Sequence, residues 1–419
     1  MRFVSSQTGA RLSIVTCKPA CARICMLVAC MKRATYSPKF PLLVALAAIV
    51  FISSLPGYGQ SPQPAANDKS EREFNLLVLG DSITWGQGLR DDHKAWYLVN
   101  TWLEISARRK VHARIEAHSG AVIGSPGDSA GNPVPPLDGE VNRALPSVNH
   151  QIDNALGFYS DPSQVDLVLV DGCINDLDAR RLLNAVNTPR GIRELTQEKC
   201  GPPVEALLSR ITTAFPKAHV IITGYYPILS EKTESDLFMR AMVKRLYSGT
   251  APMNDKQLRT RLIDISKEWY LTTNQMLAGA TSKVDAQLAA KGSGQRALFA
   301  EIVFRPEHSF AAPQSRLWGF DASFLRKLLV ILTLGRVTLK TNDERRNQRG
   351  ASCKETFRPP AGETKAQERA RENRIMLCRL AAIGHPNREG ASMYAEAISK
   401  QLKLLGWLRD VPVIGTPEK

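Results

Sequence analysis

The sequence is poor in the features that would place it in a membrane or around a metal. No apolar run approaches the roughly 18 residues of a spanning helix, which excludes a polytopic membrane protein. Leu42–Ile52 covers 11 residues and Leu328–Leu334 seven, the latter short enough for core or cap. No internal repeat is detectable, which excludes a solenoid or propeller array. Cys173, Cys200, Cys353 and Cys378 form no Cys-x-x-Cys pair, which argues against a zinc site. Residues 1–59 contain no acidic side chain at all. At 43% hydrophobic and 23% charged, the composition is ordinary for a globular chain. Chain-wide disorder, collagen and coiled coil are thereby excluded, and 419 residues can bury a large core.

The missing acidic residues direct attention to what the N-terminus does contain. Seven basic residues lie in 1–59, and removing them from the formal +15 leaves +8 for residues 60–419. That balance is weak evidence for nucleic acid, and no nucleic-acid partner is expected. Lys32, Arg33 and Lys39 precede the apolar stretch Leu42–Ile52, and Leu55-Pro56-Gly57-Tyr58-Gly59 follows. Charged, apolar, then small residues is the order of a secretory signal. We expect cleavage near Gly59–Gln60, with Met26 or Met31 as an alternative start, and a secreted or periplasmic destination. Residues 60–72 are polar and Pro-containing, a disordered leader to a folded domain over 73–410.

Four of the eight cysteines lie in the first 30 residues. The remaining four suggest two disulfides in an oxidising compartment. Cys173–Cys200 and Cys353–Cys378 are favoured, because each pair closes a shorter loop.

Downstream, strands alternate with helix-length segments. Phe74–Leu79 reads as a strand buried on both faces, Ala113–His118 as a second short strand, Val165–Val170 as the third and strongest, His219–Gly224 as the fourth and Arg261–Ile265 as the fifth. Helices are expected over His93–Ser106, Val204–Ala214 and Glu389–Leu405. The pattern predicts a three-layer α/β/α fold around a central parallel sheet of about five strands. Residues 225–374 stand apart as an insertion and charged loop. Within them, 340–374 carries ten basic and six acidic side chains and reads as exposed and partly disordered.

Four short blocks carry chemistry. Gly80-Asp81-Ser82-Ile83-Thr84-Trp85-Gly86 follows strand one, where a serine hydroxyl would sit at a helix N-terminus. Asp and Ser there are also ordinary capping residues. His118-Ser119-Gly120-Ala121 follows strand two, and a glycine lets its backbone N–H approach a reacting oxygen. Gly172-Cys173-Ile174-Asn175-Asp176 follows strand three, and an Asn amide donates without titrating. Gly384-His385-Pro386-Asn387 precedes the last helix, and histidine is the usual base for serine.

In this order the blocks resemble the SGNH hydrolase superfamily, the GDSL-type esterases and lipases. The resemblance spans residues 74–405 and implies a flavodoxin-like sheet order. It implies Ser82 as nucleophile and His385 as general base. It implies an oxyanion hole of the Ser82 and Gly120 N–H groups and the Asn175 side chain. It implies an ester substrate of lipid, acylated sugar or small-molecule type, with no metal and no cofactor. Two positions depart from the family. Ala382 stands where an aspartate is usual, three residues before the histidine, and Cys173 stands where a glycine is usual. A backbone carbonyl would hold the imidazole, or Glu389, Asp321 or Glu307 would substitute, or the chain would be a weak or inactive binding relative. An acyltransferase using the same serine is a further possibility. His308, the Tyr225-Tyr226-Pro227 segment, Trp85 and Trp318 are lesser candidates for lining the site.

Overall fold

The computed structural model describes residues 73–128, 139–140, 143–234, 253–319, 350–351 and 353–406. The expected export segment and leader, Asp321 and the Leu328–Leu334 run lie outside them.

Five strands form one parallel sheet: β1 (Phe74–Val78), β2 (Val111–Ile115), β3 (Val165–Val170), β4 (His219–Thr223) and β5 (Ala297–Ala300). Their order across the sheet is β2-β1-β3-β4-β5. Leu76 lies opposite Leu167, and Leu167 opposite His219. The central strands β1, β3 and β4 read as nearly continuous apolar runs because both faces are covered. Leu77, Val168, Val170, Val220 and Ile222 pack on one side. Leu76, Val78, Leu167, Leu169 and Ile221 pack on the other, as alternating side chains must.

Two helices cover the second face: α2 (Ala95–Ala107) and α8 (Arg388–Leu404). They meet it with Val99, Trp102 and Leu103 and with Ala395, Ile398 and Leu402. The first face takes α3 (Val148–Phe158), α4 (Pro189–Cys200), α5 (Pro202–Ala214) and α6 (Asp255–Ala290). A four-residue turn of helix, α1 (Ser82–Trp85), follows β1. A further helix, α7 (Lys365–Ala381), leads to the His385 loop.

The fifth strand is not where sequence patterning put it. Arg261–Ile265 is an internal segment of α6, a 36-residue helix. Its Ile and Leu residues suggest a strand locally, but the longer pattern is helical. Leu258, Leu262, Ile265, Trp269, Leu277, Val284 and Leu288 are buried at helical spacing. Asn254 and Gln257 start the helix with a reciprocal capping box. The actual β5 is four residues of Ala-Leu-Phe-Ala at the sheet edge, too short to stand out.

A second correction concerns the charged stretch 340–374. From Lys365 it is α7, capped by Thr364 and Gln367 in another capping box. Its segment is rich in Arg and Ala, with Glu and Leu, all strong helix formers. Only Ile375 and Cys378 of α7 are buried, so the helix lacks the apolar stripe that would announce it. Both favoured disulfides are present: Cys173–Cys200 and Cys353–Cys378.

Candidate active site

All four blocks lie at the carboxyl edge of the sheet or beside it. The chain leaves β1 in one direction to β2 and returns to the opposite side of β1 as β3. Such a switch point opens a crevice between neighbouring strand ends.

The turn after β1 is fixed from beneath. Gly80 has φ 128°, and a Cβ there would fall 1.9 Å from the Asp171 carboxylate. Only glycine fits that approach. The Gln151 amide accepts from Gly80 N–H at 2.7 Å and donates to its carbonyl at 2.9 Å. Asp171 accepts from the N–H groups of Asp81 (2.7 Å) and Thr84 (3.1 Å). Asp81 caps α1 through Ile83 N–H at 2.9 Å and accepts the Tyr225 hydroxyl at 2.9 Å. Burial raises the pKa of both carboxyls, and the Asp81 charge pushes Asp171 further up. Ser82 emerges from this turn 7% exposed.

His385 reaches Ser82 from the opposite end of the chain. Its Nε2 lies 2.7 Å from Ser82 Oγ across 303 residues of sequence. A strand-like brace holds the loop. Trp318 N–H donates to the His385 carbonyl (2.8 Å), and Gly384 N–H donates to the Trp318 carbonyl (2.9 Å). Leu317 and Pro386 form an antiparallel bridge. Asn387 N–H donates to the Arg316 carbonyl at 2.8 Å, while its side chain donates to Ser315 at 3.2 Å and caps α8 at Gly390. The Tyr226 hydroxyl donates to the Gly384 carbonyl at 2.8 Å.

His385 is half-buried, and desolvation pulls its pKa down to about 4, opposed by the carbonyls of Ile383, Ala381 and Ala382. It therefore rests neutral at pH 7, with an acceptor nitrogen available. No hydrogen bond joins Nδ1 to any described residue. The nearby carbonyls belong to the end of α7 and the turn after it, where the helix dipole is negative. Neither Glu389 nor Glu307 takes the place of the absent aspartate. Glu389 turns to Arg316 at 3.7 Å, and Glu307 sits in a 3₁₀ turn. Ala382 is fully buried, its methyl pressed against Gly88, where a Cβ would come within 2.4 Å.

Gly120 has φ 84°, the left-handed conformation that glycine favours. Its N–H and that of Ser82 make no hydrogen bond to the described residues. The Asn175 amide donates one hydrogen to the Ala121 carbonyl at 2.9 Å, which ties the third block to the second. Beside it, Asp176 accepts from Ile123 N–H at 3.1 Å. Burial raises the Asp176 carboxyl to about 6.

The lesser candidates resolve into supports. Tyr225 and Tyr226 hold the Ser82 and His385 loops through their hydroxyls. Trp85 carries the Lys94 ammonium 3.6 Å from its ring centroid and meets Gly139 across the ring. Trp318 is 2% exposed. His308 packs against Phe304 and accepts from Arg305 N–H. Sequence patterning missed Asp171 and Gln151. Asp171 had a signal, a carboxylate directly after an all-apolar strand, whereas Gln151 had none. Among the described residues no cluster of His, Cys, Asp or Glu suits a metal, and no helix is long and apolar enough to cross a membrane.

No protein family and no curated protein matches the sequence. Among solved structures, the chain is similar to an extracellular lipase from Streptomyces rimosus. Identity is 15% over 58% of this chain and 87% of that one, with a TM-score of 0.36. It is also similar to phospholipase A1 from Streptomyces albidoflavus (14%, 58% and 86%, TM-score 0.34). An aryl esterase from M. smegmatis gives 17%, 62% and 97%, with a TM-score of 0.28. At those values the site has to be understood from its own geometry. In its sheet order and its four sequence blocks, the chain resembles the SGNH hydrolases, the GDSL-type esterases and lipases.

Proposed function

We propose that the protein is an exported serine ester hydrolase. The observation that carries this is the 2.7 Å contact between Ser82 Oγ and His385 Nε2. A serine is a weak nucleophile until a neighbouring base takes its proton. Ser82 Oγ attacks the ester carbonyl as His385 Nε2 accepts the hydroxyl proton. The carbonyl oxygen becomes an oxyanion, received by the N–H groups of Ser82 and Gly120 and the second amide hydrogen of Asn175. Collapse expels the alcohol, which takes the proton from His385 and leaves an acyl-Ser82 ester. Water then attacks that ester, His385 accepts the water's proton, and the carboxylic acid departs as Ser82 regains its hydrogen.

The imidazolium formed in each step has no carboxylate partner in this proposal. The carbonyls of Ala381, Ala382 and Ile383 face it instead and favour its charged form. A preorganised dipole of this kind needs no titratable group. The substrate class is a carboxylic ester of a lipid, a sugar or a small alcohol, with no metal or organic cofactor. Two disulfides and the signal-like N-terminus support export to an oxidising compartment.

Hydrolysis of a short-chain p-nitrophenyl ester tests the proposal. Ser82→Ala and His385→Ala should each lower kcat by roughly 10⁴- to 10⁶-fold, as for removal of either member of a serine–histidine pair. A folded wild type that turns over no ester of any chain length overturns it.

A further inference from the structure

The third block contains a residue in an unusual backbone conformation. Cys173 has φ 111°, far from the φ of 53–64° at Arg108, Asp178 and Ala311, the other non-glycine residues of positive φ among those described. Side chains with a Cβ rarely adopt that φ, whereas glycine adopts it freely. The conformation is not incidental to the loop. The Cys173 carbonyl accepts from the N–H groups of Asp176 (3.1 Å) and Leu177 (3.3 Å), closing the turn that presents Asn175. Rotating Cys173 to an ordinary φ would swing that carbonyl and open the turn.

A covalent bond opposes that rotation. Cys173 is bonded to Cys200, the last residue of α4, and both are fully buried. That helix is itself anchored. Ile192, Thr196 and Cys200 are buried along it, and Arg193 pairs with Glu268 of α6. Elsewhere the turn is held by hydrogen bonds (Asn175 to Ala121, Ile123 to Asp176, and a long 3.5 Å contact from Ile174 N–H to the Tyr225 hydroxyl) and by Ile174 and Leu177 packing against the core.

We infer that the Cys173–Cys200 disulfide is a positioning device for catalysis, holding the oxyanion turn in a glycine-like conformation so that Asn175 points at the developing charge. Cys173 and Cys200 are positioning residues that touch no substrate. The inference rests on the proposed role of Asn175. Its consequence is that breaking the disulfide lowers kcat more than it raises KM, because an oxyanion donor acts in the transition state.

The test uses three variants of the full chain, compared with wild type by p-nitrophenyl ester kinetics and by urea unfolding. Cys200→Ser frees Cys173 in its strained conformation. It should lose roughly ten- to a hundredfold in kcat, the scale of a small misplacement of a catalytic group. Cys173→Gly with Cys200→Ser removes the disulfide and the strain together, and should regain most of that kcat. Cys173→Ala with Cys200→Ser removes the disulfide but keeps a Cβ, and should remain slow. A disulfide serving stability alone predicts equal kcat in all three once each is assayed below its unfolding midpoint. Equal kcat therefore overturns the inference, as does a glycine variant no faster than the alanine variant. A wild type without turnover overturns the esterase proposal, and this inference with it. Turnover that survives Asn175→Ala overturns this inference alone.

Discussion

The two halves of the site are built in different ways. The Ser82 half is suspended from the interior. Gly80, Asp81 and Thr84 hand their backbone groups to Gln151 and Asp171, all within the buried core at the end of β1. The His385 half belongs to no strand. It is a loop between α7 and α8, clamped by residues 315–318 and by one tyrosine hydroxyl. The proposed nucleophile, mounted on the core, inherits the rigidity of the sheet. The proposed base, mounted on a brace, depends on a second segment from elsewhere in the chain. Damage to the supports beneath Ser82 should therefore register chiefly as lost stability, and damage to the brace around His385 chiefly as lost activity.

The sharpest way to break that contrast is Asp171→Ala. It strands two buried N–H donors, at Asp81 and Thr84. An unsatisfied buried donor costs about 1–3 kcal/mol. Two of them, offset by relief of the Asp81–Asp171 repulsion, should lower stability by about 2–4 kcal/mol in urea unfolding. A loss below about 1 kcal/mol would show that the turn does not hang from the core.

Acid should act on the other half through His385. Its folded pKa of about 4 lies below the ordinary 6.5, so the unfolded chain binds the proton more readily. Stability from this group is fully present above pH 6.5 and is lost as pH falls toward 4. The loss amounts to about 3 kcal/mol at most. Comparing wild type with His385→Gln at pH 4.5 and 7 isolates that share, and the variant should be the less pH-sensitive. In kinetics, the neutral base persists down to about pH 4, so kcat/KM should stay on its plateau at pH 5.5. A half-maximum near 6.5 would mean that the imidazole is not desolvated as described.

The smallest effect expected is that of Tyr226→Phe. It removes one hydrogen bond to the Gly384 carbonyl, worth about 1 kcal/mol of stability. If the brace positions the base, kcat should fall several-fold while KM holds. An unchanged kcat would leave residues 315–318 to hold the loop alone.

The same division decides how much the sequence disclosed. Ser82 sits in a contiguous strand–turn–helix signal, an apolar run ending in Gly-Asp-Ser, so both its existence and its place at the sheet edge were legible. The half-exposed β2 showed only as a short mixed run, whereas three of the five strands were visible as apolar runs, because burial on both faces leaves that mark. β5 was not, since a four-residue edge strand carries almost no pattern, and the β-branched residues of Arg261–Ile265 drew the assignment into a helix. His385 could be picked out as a candidate, but nothing local shows that Trp318 and Arg316 hold its loop. Such pairing across roughly 70 residues is a property of the fold and not of any window. The carbonyls at the end of α7 were equally hidden, because no residue type in the sequence marks where backbone carbonyls will face an imidazole.

The measurement that tests the central claim most directly is fluorophosphonate labelling of the intact wild-type protein, followed by peptide mass spectrometry. The account predicts a single phosphonylated peptide modified at Ser82, with a labelling rate that collapses in His385→Ala and survives Glu389→Gln and Glu307→Gln. An adduct at another serine would contradict the Ser82–His385 pair. A rate that collapses in either carboxylate variant would contradict a base held without an acid.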